Sequence, residues 1–213
     1  MKTFKLLVSS FLFLTVAAQG RLFAQTTKDI FNPATPITYL GIDFSQAKLI
    51  GDAGANALDI KARMYSSINQ VVINEAKKYD VNKALYRTVT GDITVSEAQN
   101  AKANADSIKS QNKADLTRFT PATIDKMVSG YDFMGKKGIG LVFITEAMSK
   151  TEEKSSVWVT FVDMSTNKVL LTERLFGKAG GFGFKNYWAK PYDEIIQDVR
   201  KDKYEEWSKK YKG

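Results

Sequence analysis

The sequence contains neither cysteine nor histidine. Without cysteine there is no disulfide framework, no thiol chemistry and no lipid-anchoring residue of the bacterial lipoprotein kind. Without histidine, Ser-His and Cys-His nucleophiles are excluded, together with most zinc and transition-metal sites. Only Asp, Glu, Lys, Tyr, Ser and Thr remain for catalysis, and no metal or cofactor is expected. No arginine-rich stripe with interleaved aromatics occurs, so nucleic acid is not an expected partner. No apolar run is long enough to span a bilayer.

What is present begins with a targeting pattern. Lys2 and Lys5 precede an apolar run from Leu6 to Ala18, and small or polar residues follow. That order is the layout of a secretory signal peptide. Cleavage is expected after Gly20 or Ala24, and Leu22-Phe23-Ala24 is the preferred site. A signal over residues 1–24 makes the protein exported, periplasmic or extracellular. Removal of Lys2, Lys5 and Arg21 leaves 28 basic residues against 23 acidic ones, so the net charge falls from +8 to +5. This balance suits an anionic partner and is equally ordinary for solubility. The remaining 189 residues are enough for one domain with a sizeable core.

Periodicity orders the elements. Residues 25–36, with Pro33 and Pro36, read as an extended lead-in, and "ITYLGIDF" (Ile37–Phe44) reads as the first strand. "SQAKLIGDAGA" reads as a loop. Asn56 then caps a long helix whose inner stripe is Leu58, Ala62, Tyr65, Ile68, Val72, Ala76 and Tyr79. "ALYRTVTGDITVS" reads as extended structure broken at Gly91-Asp92. Ser96 and Gln99 form a capping box for a helix through about Lys113, whose thin stripe (Ala98, Ala101, Ala105 and Ile108) buries little. This predicts a peripheral helical insertion at about 96–115, padding or a docking arm. Thr120-Pro121 opens the next helix. Ile139–Met148, Ser156–Met164 and Val169–Phe176 read as a central strand and a hairpin, followed by a helix from Asn186 to Tyr211. The fold class is α+β of the α/β type: residues 37–213 form one domain, a single mixed sheet of four to five strands packed by helices.

Residues 37–205 resemble a known family. "YLGIDF", a long helix, and the strand–hairpin "GLVFITEAMSKTEEKSSVWVTFVDMSTNKVLLTERLFG" resemble the envelope α/β domain of the TolB N-terminal region. The same domain type occurs in activator lipoproteins of penicillin-binding proteins and in curli-secretion lipoproteins. "VTFVDMSTNKV" (Val159–Val169) is similar to the family's strand pattern, with Asn167 at the usual glycine position. The resemblance implies a non-catalytic, partner-binding envelope domain and carries over no catalytic residues.

Candidate site residues come from two places. "LFGKAGGFGFKNYW" (Leu175–Trp188) gathers Lys178, Gly180, Gly181, Phe182, Gly183, Phe184 and Lys185. It lacks the P-loop order, because no Ser or Thr follows either lysine. Three readings remain: a glycine corner on which rings pack, an anion site at a helix N-terminus, or an aromatic partner surface. "MGKKGIG" (Met134–Gly140) poses the same question as a helix-to-strand turn. Asp43, at a strand C-terminus, and Asp52, in the next loop, are the candidate carboxylates for acid–base work, calcium binding or plain loop capping. Glu146 and Glu173 read as cross-strand partners of Lys150 or Arg174. The expected function is an exported, non-enzymatic envelope protein that binds a protein partner. The alternative is a small-ligand or anion binder, or a hydrolase, using Asp43, Asp52 and the loop 177–183.

Overall fold

The computed structural model describes residues 24–212, so all of the expected signal peptide except its last residue lies outside the described residues. The chain enters through a 3-10 helix, Thr27–Phe31, where an extended lead-in was expected. The reason is local: Asp29 accepts from the backbone N–H of Thr26 at 2.7 Å, while Ile30 and Phe31 are buried. Strand β1 (Ile37–Asp43) leads to a short β2 (Lys48–Ile50), inside the segment read as a loop. Helix α1 (Ala57–Asp59), a π turn (Ile60–Met64) and helix α2 (Tyr65–Asn74) follow without a break. The wider π turn shifts the phase of the helix. Ile60 therefore starts the buried stripe that Tyr65, Ile68 and Val72 continue, and Leu58 is 71% exposed.

Helix α3 (Val81–Ala84) and strand β3 (Val89–Gly91) share the next segment. Helix α4 (Thr94–Asn100) encloses Ser96, which is buried within it and does not cap it. Beyond Asn100 there is no single helix to Lys113. A 3-10 turn, strand β4 (Lys109–Ser110) and a second 3-10 turn (Lys113–Thr117) follow instead. Asn104 and Asn112 each accept from a backbone N–H two residues on, so side-chain capping outcompetes helix propagation there. Helix α5 (Pro121–Ser129) starts at the Thr120 cap as its sequence predicts. Strands β5 (Ile139–Ser149), β6 (Lys154–Asp163) and β7 (Lys168–Lys178) form a meander. Helix α6 (Phe184–Asp198), a second π turn (Val199–Lys203) and helix α7 (Tyr204–Lys212) complete the described chain.

β5 is the axis of one mixed sheet. Along one of its edges β1 and β2 pair in parallel, end to end, and β3 and β4 extend them outward, also in parallel. Along the other edge β6 and then β7 pair antiparallel. Seven strand segments thus occupy five columns, the upper bound read from the sequence. Helices cover both faces. Tyr39, Phe44, Phe143 and Phe161 meet Tyr65, Trp188 and Tyr192 on one face. Leu40, Val142, Ile144 and Trp158 meet Ile124 and Val128 of α5 on the other.

The junction between β1 and β2 is held by side-chain amides. Gly41 sits at φ 86 where the β1–β5 register shifts. A Cβ there would lie 2.8 Å from Asn69 Oδ1 and 2.6 Å from Ser96 Oγ, so only glycine admits both elements. Ile42 N–H donates to Asn69 Oδ1 at 2.8 Å, and Asn69 Nδ2 donates back to Ile42 O at 2.9 Å. Asn100 accepts from Phe44 N–H at 2.6 Å and donates to Ile42 O at 3.0 Å. Two asparagines thus act as the missing neighbour strand and satisfy buried backbone groups.

Candidate functional site

The glycine loop is shaped by Pro191. A Cβ on Gly177 would lie 2.2 Å from Pro191 O, so the helix α6 backbone rests directly on this glycine. Proline has no N–H for the carbonyl four residues earlier, Tyr187 O. The N–H of Gly180 donates to that carbonyl instead, at 3.2 Å. The N–H of Ala179 donates to Glu153 O at 2.7 Å, and that of Lys178 to Glu194 Oε2 at 2.8 Å. Three successive amides of the loop, those of Lys178, Ala179 and Gly180, are therefore occupied, one of them by a carboxylate. Phe184 and Tyr187 pack around Trp188, with ring centroids 6.4 and 4.9 Å away. Gly181 and Gly183 take positive φ at the exposed turn, beside Lys185 and a 94% exposed Phe182. The geometry favours the corner-and-packing reading. In "MGKKGIG", Lys136 pairs with Asp92 at 2.5 Å.

The candidate carboxylates differ in burial. Asp43 is fully buried: one oxygen accepts from Ser45 N–H at 2.6 Å and the other from the Tyr131 hydroxyl. Burial pushes its carboxyl above the ordinary range, although the Tyr131 and Ser45 hydrogen bonds oppose this. Asp52 lies half-buried in the turn after β2, where its carbonyl accepts from Ala55 N–H at 3.3 Å. Glu146 is also fully enclosed. It accepts from Ser156 Oγ and Trp158 Nε1 at 3.0 Å, from Arg174 Nε at 2.8 Å and from the N–H of Phe119. Its partner Arg174 lies on β7, with β6 between the two strands. Glu173 points elsewhere, to Lys203 at 2.9 Å and Trp207 Nε1 at 2.6 Å. Asp43 and Glu146 are thus bound into the fold with their oxygens engaged.

A strongly cationic concavity lies elsewhere, where α3 and the end of α6 meet. An open groove of about 440 Å³ is lined by Lys77, Lys78, Lys83, Arg200 and Lys201. Arg87 lines the adjoining cleft, which shares Lys83, Tyr86 and Arg200 with the groove. Asp80 is the acidic residue lining the groove, and Lys83 pairs with it at 2.9 Å. That hydrogen bond, then the Lys83 backbone N–H, hold the Asp80 carboxyl below its usual range. Tyr86 stands between the two cavities, 67% exposed, at φ 53. Its hydroxyl donates to Arg200 O at 2.8 Å and so ties the end of α3 to the second π turn. A non-glycine residue held in the left-handed region costs backbone energy and persists only where contacts fix it. Arg87 is fixed as well, donating to Asn32 O at 2.8 Å and Thr35 O at 3.0 Å.

Sequence reasoning missed this groove. "AKKYD" and "VRK" each look like a solvated helix end, and more than one hundred residues separate them. Only the Lys77-Lys78 and Arg200-Lys201 doublets hinted at it, and nothing in the sequence places them together. Comparison with protein-family models, curated proteins and solved structures yields no match. No helix among the described residues is long and apolar enough to cross a membrane.

Proposed function

We propose that this chain is an exported, non-enzymatic protein of the bacterial cell envelope that binds an acidic segment of a protein partner. The observation that carries the reading is the concave cationic surface of Lys77, Lys78, Lys83, Arg87, Arg200 and Lys201, with a single lining acid already paired to Lys83. Clustered charge of one sign in a cleft focuses the field and speeds encounter with an oppositely charged partner. The resemblance to envelope partner-binding domains and the signal-like N-terminus support the same reading. The alternative of a hydrolase or anion binder built on Asp43, Asp52 and residues 177–183 has less support, since Asp43 is buried and the amides of Lys178, Ala179 and Gly180 are engaged within the fold.

Affinity capture from envelope extract tests the reading, with the mature chain and a Lys83→Glu/Lys201→Glu variant as baits. The wild type is expected to retain a protein with an acidic segment that the variant loses. Equal retention by both baits would move the binding surface elsewhere. Retention of nucleic acid alone, abolished by nuclease, would overturn the protein-partner reading.

A further inference from the structure

Asp163, the last residue of β6, is a fully buried acid held by neutral donors. Its Oδ1 accepts from Ser165 N–H at 2.8 Å, and its Oδ2 from the Thr166 hydroxyl at 2.9 Å. The third donor comes from the start of the described chain: Gln25 N–H reaches the same Oδ2 at 3.0 Å. Lys168, the cross-strand neighbour, is exposed, and no ion pair among the described residues involves Asp163. Fully buried acids are rarely left without a counter-charge, because taking a carboxylate out of water is costly. The segment that carries Gln25 is firmly docked. Thr27 Oγ1 donates to Leu170 O of β7 at 2.7 Å, while Ile30 and Phe31 are buried. Ala24 is exposed and Gln25 is partly buried, so among the described residues burial begins just after the preferred cleavage site.

We propose that removal of the signal peptide after Ala24 turns the Gln25 nitrogen into the counter-ion of Asp163, which makes the mature N-terminus an ion-paired part of the fold. Hydrolysis by a signal peptidase breaks the Ala24 C–Gln25 N bond. Water gives its hydroxyl to the Ala24 carbonyl carbon and a hydrogen to the nitrogen. The new amine then takes one proton from solvent, as an α-amine with a pKa of about 8 does at neutral pH. A neutral amide 3.0 Å from Asp163 Oδ2 is thereby replaced by an ammonium at the same place. Charge-assisted hydrogen bonds are roughly twice as strong as neutral ones. The precursor thus buries Asp163 without a counter-charge, whereas the mature chain neutralises it, so processing itself stabilises the turn between β6 and β7. The inference rests on the export reading and uses no residue of the cationic groove.

The first test is mass spectrometry of the N-terminal peptide of the protein recovered from an exporting bacterial host. It should begin at Gln25 with a free amine. A start at Arg21 would overturn the proposal and leave export standing, whereas an unprocessed chain would overturn both. A Gln25 lactam, lighter by one ammonia, would also overturn it, because the cation is then absent. The second test compares, by urea denaturation, freshly released chains that begin at Gln25 and at Ala24. In the longer chain the Gln25 nitrogen is an amide again, and its folding equilibrium constant should be at least tenfold smaller. Asp163→Asn should abolish that difference, which isolates the pair. Equal stability of the two wild-type chains, or the same difference in Asp163→Asn, would overturn the proposal. If Asp163→Asn fails to fold, acylation of the amine near neutral pH decides. The α-amine should react at least tenfold more slowly in the Gln25 chain than in the Ala24 chain, and equal rates would overturn the pairing.

Discussion

Gly177 and Asp43 are two residues whose surroundings explain their identity. A methyl group at Gly177 would lie within 2.7 Å of three backbone atoms of Pro191, which cannot swing aside as a flexible side chain would. Gly177→Ala is therefore expected to lose about 1–3 kcal/mol, the usual cost of overpacking, measured by urea denaturation. An unchanged midpoint would show that α6 does not rest on this glycine. Asp43 yields a prediction of opposite chemistry. Its folded carboxyl titrates above the ordinary value of about 3.9, because burial penalises the charged form. The protonated form is favoured by the fold. Its contribution is thus fully present below about pH 3.9 and is lost as pH rises through the higher folded value. Asn mimics the protonated acid, since its oxygen still accepts from Ser45 N–H and its NH2 faces the Tyr131 oxygen. Relative to wild type, Asp43→Asn should therefore gain stability as pH rises from about 4. Parallel stability–pH curves for the two proteins would contradict this.

Among the elements, the segment from α4 to β4 departs most from what its composition suggests. Its polar, alanine-rich sequence predicts a loose arm, yet β4 pairs with β2 and Asn100 clamps the end of β1. Gln99, Ala103 and Ile108 are buried beside it. Asn100→Ala would leave Phe44 N–H without its partner and cost about 1–3 kcal/mol, the penalty for an unsatisfied buried polar group. Hydrogen exchange provides the second measurement. The Leu49 amide, which donates to Ile108 O at 2.7 Å, should be protected in step with the amides of α2 in the wild type and exchange faster in the variant. Equal exchange in both proteins would return the segment to the status of an arm. The sequence misleads here because a side-chain amide used as a strand surrogate adds no hydrophobic signal. Its partner, β1, lies more than fifty residues away. Elements with a continuous apolar signature, β1, α2 and β5 to β7, were legible because burial and periodicity coincide in them.

For the whole molecule, the charge that matters is local. A formal net charge of +8 spread evenly would steer little, whereas cations drawn into one concavity act together within a Debye length of about 10 Å at 0.1 M salt. Partner retention is accordingly expected to fall at least tenfold between 0.1 and 0.5 M salt, and Lys83→Glu/Lys201→Glu should flatten that dependence in the same capture assay. A salt-independent interaction would point to an apolar surface instead, such as the exposed Phe182 turn. The sequence by itself determined the absence of thiol and imidazole chemistry, the strands and helices with strong periodicity, and the mixed α/β class, because each depends on residue type or local spacing. Tertiary structure alone decided that Asp43 and Glu146 are interior struts, that the glycine loop wraps a proline, and that two distant lysine-rich turns share one groove. Those outcomes depend on which distant backbone meets which side chain. The periodicity of single elements carries no record of that pairing.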